Sequence, residues 1–418
     1  MDDYTKILPK MLSGDELARA LSVAPKYNEN NKNMDIGERL IALSNLYDIY
    51  IPSKMSIEIY NKLYLSLYHS LKKKSSKLAL QQRYENYKRF LTGNSNSIIG
   101  GSVSFTIIGT SGIGKSTAIN RAVDVIVKGC KFNDNLFSSV IPFVTVQCPF
   151  DSSVKGLAIE ILMKINSILG TQYLNGKNCK HIVDRCTTDT LVSQISTIAI
   201  NNIGVLIIDE IQNVANSKNG KNIIGFLTQL INNSGISICM VGTPESVLFF
   251  ECAEHLARRT MGLKYTTLPY DNYFKNICNI LFKYQYTVKN ALINEEMYNW
   301  IYEHSYGNIS IIISLIHDAQ EIAITSNIDK LDIKILNEAY QSRIEMYHKF
   351  IQPTVHRVIV KKEKKFNKQT LQNSEDIIQE CISNQFDNIA DILKTSKENN
   401  TDFIDMLKQS ISVEVIKI

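Results

Sequence analysis

From residue 102 onward the chain alternates short apolar runs with longer amphipathic stretches. The runs are SVSFTIIG (102–109), SVIPFVTVQC (139–148), IGVLIIDE (203–210) and GISICMVG (235–242). Short, continuous, β-branched runs separated by helical spacing predict buried parallel strands in an α/β sheet. Past about residue 265 such runs cease. Segments 270–284, 293–305, 308–325 and 330–346 carry apolar residues at helical spacing and predict a helical lid.

The first hundred residues read as helical and polar. SGDELARALSV opens with Ser13 and places Glu16 three residues later, the pattern of a helix cap. IGERLIALSNLYDIYIP has helical apolar spacing and stops near Pro52. SIEIYNKLYLSLYHSLKKKSSK is a further amphipathic helix ending in Lys72, Lys73, Lys74 and Lys77. Basic residues suit a helix C-terminus, so this cluster is expected to be a solvated helix end rather than a DNA contact. Four regions follow: a helical N-terminal region (1–98), an α/β core (99–265), a helical lid (266–346) and a tail (347–418). The tail is basic over 356–368, HRVIVKKEKKFNK. Over 374–418 it carries nine acidic residues and four lysines.

Composition narrows the class. A chain of 418 residues with 44% hydrophobic and 21% charged residues can bury a sizeable core, which excludes a disordered or collagenous chain. No apolar stretch reaches the roughly 18–20 residues of a membrane span, and MDDYTKILPK is unlike a secretory signal. A soluble, cytoplasmic protein is expected, with no membrane partner. The eight cysteines contain no CxxC pair, so zinc-ribbon chemistry has no support and reduced thiols are expected. Cys179, His181 and Cys186 are near neighbours by coincidence. A net charge of +5 permits a nucleic-acid partner without implying one.

One motif carries specific chemistry. Gly109-Thr110-Ser111-Gly112-Ile113-Gly114-Lys115-Ser116 fits GxxxxGK[ST]. It follows an apolar strand and opens the helix that begins at Thr117. Glycines let the loop curl so that its N–H groups face phosphates, and the helix N-terminus adds a favourable dipole. Lys115 is expected to reach the β- and γ-phosphates of ATP, and the Ser116 hydroxyl to hold magnesium. The run 205–208 delivers Asp209 and Glu210 to a strand's C-terminal edge, where open α/β sheets bind ligands. Asp209 would hold Mg2+ through a water; Glu210 would orient and polarise the attacking water. Thr243, at the end of another apolar run, is placed to sense the γ-phosphate or hold that water. Arg258 and Arg259 end a helical stretch, where they are either surface cations or a finger reaching a neighbour's nucleotide.

This combination resembles the AAA+ ATPases. Within them it resembles TnsC, the ATPase regulator of targeted cut-and-paste transposons, possibly CRISPR-associated ones, and more distantly TniB. The segments that carry the likeness are CPFDSSVKGLAIEI with LGTQY (148–173), VLIIDEIQNV (205–214), VGTPESV (241–247), LARRTMG (256–262), YGNISIIISLIHDAQEIAI (306–324) and the N-terminal LSGDELARALSVAPKYN. They span most of residues 5–345, and CPFD…KG is the most family-specific. The resemblance implies an ATP-dependent homo-oligomer, ring or filament, wound on double-stranded DNA. It would bridge a TniQ/TnsD-type target selector to transposase and nuclease subunits.

By the same resemblance Thr243 is the first sensor, and one of Arg258 and Arg259 is the trans-acting finger. Elements between the second strand and the DE strand would face DNA. There Lys155, Lys177, Lys180, His181 and Arg185 are candidates for sequence-independent phosphate contacts. One departure stands out: Gly307-Asn308-Ile309-Ser310 lacks the arginine of many AAA+ lids, which implies closure that leans on the neighbouring subunit. Two other functions fit the same motifs, a helicase-loader or initiator-type ATPase and a nucleotide-dependent signalling switch without DNA.

Overall fold

Five parallel strands make one sheet in the order β2-β3-β4-β1-β5. They are β1 (Phe105–Gly109), β2 (Ile141–Gln147), β3 (Ile203–Asp209), β4 (Ser237–Gly242) and β5 (Leu263–Tyr265). In a computed structural model of the chain, residues 4–76, 103–131, 140–169, 187–215, 220–247 and 262–347 are described. All lie in one unit, Met1–Pro353. The four predicted runs became β1 to β4. β5 was not anticipated, because its three residues, LKY, are too few and too mixed to carry a periodic signal.

Both faces of the sheet are covered, which is why the strands read as continuous apolar runs. Successive residues of β3 and β4 point to opposite sides. Leu206, Ile208, Ile238 and Met240 join one core with α6 (Val154–Leu169), α7 (Thr188–Asn201) and α9 (Gly220–Ser234). Val205, Ile207, Cys239 and Val241 join another with α1 (Gly14–Leu21), α4 (Lys54–Lys74) and α5 (Lys115–Gly129).

A third core belongs to the lid. It gathers α10 (Asn272–Lys283), α11 (Glu295–Ser305), α12 (Ile309–Thr325) and α13 (Ile333–Ala339). Asp271, Asn294 and Asp332 cap three of these helices by accepting from the backbone three residues on. Leu43 and Leu46, from α2 (Ile36–Leu43) and α3 (Asn45–Asp48), pack into this lid core. The N-terminal helices therefore divide between sheet and lid.

Two sequence expectations fail here. Ser13 is the N-cap residue of α1, but its side chain makes no cap hydrogen bond. Gly14, the first residue of that helix, sits at φ 55. The basic end of α4 is only partly solvated: Lys72 is exposed, but Lys74 is not. Lys74 is only 7% exposed, and its ammonium donates to the carbonyls of Ala199 (2.7 Å) and Ile200 (2.5 Å). Those carbonyls belong to the last turn of α7, where helices leave acceptors unsatisfied. Burial also pushes the Lys73 ammonium pKa down. Lys77 lies outside the described residues. Among the described residues, no helix is long and apolar enough to cross a membrane.

Candidate nucleotide site

The sheet brings the ends of β1, β3 and β4 to one edge. β3 pairs with β4 and β4 with β1, all in parallel, so their C-terminal residues emerge side by side. The loop from Gly109 to Gly114 leaves β1 and enters α5, a helix of fifteen residues with Gly114 as its N-cap. Gly112 and Gly114 sit at φ 81 and 88, a region that disfavours side chains. Ile113 turns its side chain inward (3% exposed), so it offers a ligand only its backbone. Ser111, Ser116 and Thr117 are exposed on the solvent side.

Lys115 is nearly buried at 9% exposure. Its ammonium donates to the carbonyls of Gly109 (2.7 Å) and Thr110 (2.9 Å). Burial pushes its pKa down, while Asp209 and Glu210 oppose that shift. The cation is thus held against the loop. Ser116 Oγ donates to Asp209 Oδ2 at 2.7 Å, joining residues 93 apart in sequence. A hydroxyl and a carboxylate side by side are oxygen donors of the kind that suit magnesium.

Glu210 follows Asp209 at φ 59, a left-handed conformation rare for a side chain this long. Its N–H donates to Asp209 Oδ1 at 2.8 Å, and its carbonyl accepts from Asn213 at 3.0 Å. The turn ends β3 abruptly and sets the Glu210 side chain in solvent beside the loop. Strain of this sort is tolerated where the surroundings fix it, and it gathers at functional sites. From Thr243, the N–H donates to Gln212 Oε1 at 3.2 Å and the hydroxyl donates to Glu245 at 3.2 Å.

Two residues of this site carry no strong local sequence signal. Gln212, in the first turn of the short α8 (Gln212–Ala215), donates its amide to the Glu210 carboxylate. Asn308 bridges the lid to the phosphate loop: its Nδ2 donates to the Ser111 carbonyl at 2.9 Å. The Ser310 N–H also donates to the Gly112 carbonyl at 3.0 Å. No arginine follows the Gly307-Asn308 pair, yet this segment contacts the loop within one chain. Closure therefore does not depend on a neighbour for this contact. Asn308 stood out in the sequence only as the residue beside a missing arginine.

The loop after β2 is wired to the same place. Cys148 N–H donates to the Asp209 carbonyl at 2.8 Å, Asn213 Nδ2 to the Cys148 carbonyl at 2.9 Å, and Ser152 Oγ to the Asn213 carbonyl at 2.9 Å. These bonds hold Phe150 out in solvent at 89% exposure. Lys155 lies in the first turn of α6, half-buried. Arg258, Arg259, Lys177, Lys180, His181, Arg185, Cys179 and Cys186 lie outside the described residues.

Residues 101–248 match the AAA domain family. No curated protein matches the chain. Among solved structures, the Aeropyrum pernix ORC2 protein in its ADPNP–ADP complexes is 14% identical with a TM-score of 0.41, covering 63% of this chain and 66% of its own. The Aeropyrum pernix ORC1 protein in complex with DNA is 13% identical with a TM-score of 0.41, covering 64% of each chain. Domain III of the Thermotoga maritima replication initiation protein DnaA is 13% identical with a TM-score of 0.38, covering 79% of this chain and 100% of that domain. This chain spans just under two thirds of the two archaeal proteins. Likeness at that level assigns no activity. The family match falls on the stretch that holds the phosphate loop, β3 with Asp209 and Glu210, and Thr243. Residues 101–248 thus match the AAA domain family, and the parallel five-stranded sheet flanked by helices has the AAA+ fold.

Proposed function

We propose that this protein is an ATPase and a DNA-bound assembly switch that links target selection to transposase recruitment in cut-and-paste transposition. The observation that carries its nucleotide chemistry is the pairing of Ser116 with Asp209 beside Lys115 and Glu210. Lys115 would bind the β- and γ-phosphates, and the loop's N–H groups would cradle them. Ser116 and Asp209 would hold magnesium, which supplies charge neutralisation on the phosphates. Glu210 would orient and polarise the attacking water, and Thr243 would face the γ-phosphate.

The assembly and DNA steps rest on the residues that resemble the TnsC family. ATP between protomers would favour a ring or filament on duplex DNA, with Arg258 or Arg259 completing a neighbour's site. Lys155, Lys177, Lys180 and His181 would touch backbone phosphates without reading bases. Residues 1–98 would dock a TniQ/TnsD-type selector, and residues 347–418 the transposase and nuclease subunits. Hydrolysis would loosen the assembly, so nucleotide state sets how long a target stays marked.

Glu210→Gln tests this. The variant should bind ATP, hydrolyse it poorly and stay on DNA longer than the parent. Normal hydrolysis would remove Glu210 from the mechanism. Duplex unwinding with no response to a transposase would instead indicate a helicase-loader or initiator-type ATPase. Turnover and oligomer size indifferent to DNA would indicate a signalling switch.

A further inference from the structure

The Gln212 side chain faces two functional groups at once. Its Oε1 accepts from the Thr243 N–H at 3.2 Å, and its Nε2 donates to Glu210 Oε2. The orientation of the amide follows from its partners. A backbone N–H can only donate, and an ionised carboxylate can only accept. Turning the amide over would set donor against donor and acceptor against acceptor, so the network fixes which atom faces which.

We propose that Gln212 is a positioning residue for hydrolysis, holding the Glu210 carboxylate in register with the end of β4. This rests on the reading of Glu210 as the group that activates water. Glu210 is exposed and leaves the backbone from a left-handed turn. Untethered, a glutamate in that setting would sample several rotamers, few of them productive. The Gln212 amide restricts it with a charge-assisted hydrogen bond, the stronger kind.

The other end of the amide is anchored too. Val241 accepts from the Ile211 N–H at 2.9 Å, and a Cβ added to Gly242 would lie 3.0 Å from Gln212 Oε1. The segment from Ile211 to Gln212 is therefore laced to the end of β4 at two points. A displacement of Thr243 by a γ-phosphate would move Gln212 and with it the Glu210 carboxylate. A side chain with both a donor and an acceptor at its tip is required for that link. Glutamate has the same shape and keeps the acceptor, but when ionised it has no donor.

The test is steady-state ATP turnover of the full chain, with duplex DNA present, for Gln212→Ala, Gln212→Glu and Glu210→Gln. Both Gln212 variants should lose about tenfold or more in kcat, with KM for ATP within about twofold of the parent. Their melting temperatures should match the parent's. Gln212→Glu is the sharper arm, because it preserves volume and the Thr243 contact while replacing the donor with a charged oxygen that repels the Glu210 carboxylate. Parental kcat in Gln212→Glu would overturn the proposal. So would a change confined to KM, or a kcat loss that follows a fall in melting temperature. Glu210→Gln separates the two claims: if it turns over ATP at the parental rate, the role of Glu210 fails. If it is inactive while Gln212→Glu is unimpaired, only the role of Gln212 fails.

Discussion

The Asn308 side chain reaches across 197 residues of sequence to donate to the Ser111 carbonyl at 2.9 Å. Its other amide atom accepts from the Ser310 N–H at 3.1 Å. The lid helix α12 is thereby pinned to the carbonyl side of the phosphate loop, while the loop's N–H side is left for phosphates. Hydrogen bonds in series polarise one another, so phosphates on one side should strengthen the lid contact on the other. Asn308 is 6% exposed. Asn308→Ala should weaken binding of a non-hydrolysable ATP analogue by about tenfold, the equivalent of a typical charged or buried hydrogen bond. Titration with a fluorescent analogue reads this. Unchanged affinity would make the contact a packing detail.

Gly112 meets Asn308 from the other side. A Cβ there would lie 2.6 Å from Asn308 Oδ1, on a backbone at φ 81. Gly112→Ala should therefore lose nucleotide affinity through both the clash and the backbone strain. In Gly112→Ala with Asn308→Ala the clash is gone and the strain stays, so affinity should recover in part relative to Gly112→Ala alone. A double variant no better than the single one would mean that the lost Asn308 contact and the backbone strain together outweigh the relieved clash.

Lys74 joins the N-terminal region to the helix that feeds β3. Replacing it with Met leaves the carbonyls of Ala199 and Ile200 without that donor. A buried acceptor left unmet costs about 1–3 kcal/mol. Lys74→Met should lower stability by about that amount in denaturant unfolding, while Lys72→Met, at an exposed position of the same turn, should not. Equal stability of the two variants would return the cluster to the role of a solvated helix end.

Three thiols should resist alkylation. Burial pushes the Cys130 pKa up to about 11, and those of Cys148 and Cys278 up to about 12. For Cys148, Glu160 and Asp151 add to the shift. At pH 8 a thiol of pKa 11 is about one-thousandth thiolate, and the thiolate is the reactive form. Peptide mapping after iodoacetamide at pH 8 should find these three almost unlabelled in the folded protein and labelled after denaturation. Rapid native labelling of Cys148 would mean that the loop after β2 opens.

The strands and the phosphate loop were legible because each is written locally. β-branched runs such as VLII announce a strand buried on both faces, and eight adjacent residues hold the loop. What was not legible depends on partners far away. Lys74 looks like any basic helix end until α7 delivers its carbonyls. Gln212 is one polar residue after a carboxylate pair until β4 brings Thr243 to it. Asn308 was only the residue beside a missing arginine, and the fold brings it to the Ser111 carbonyl. The N-terminal helices gave their spacing but not their destinations, since an amphipathic face does not say whether sheet or lid will cover it.

The most direct check is electron microscopy and sedimentation of the protein with duplex DNA and a non-hydrolysable ATP analogue, with Lys115→Ala as the control. A nucleotide-bridged assembly should appear as rings or filaments on the duplex, absent without analogue and absent in Lys115→Ala. Single protomers at saturating analogue and DNA, or assemblies that form equally well with Lys115→Ala, would mean that the triphosphate site does not govern assembly.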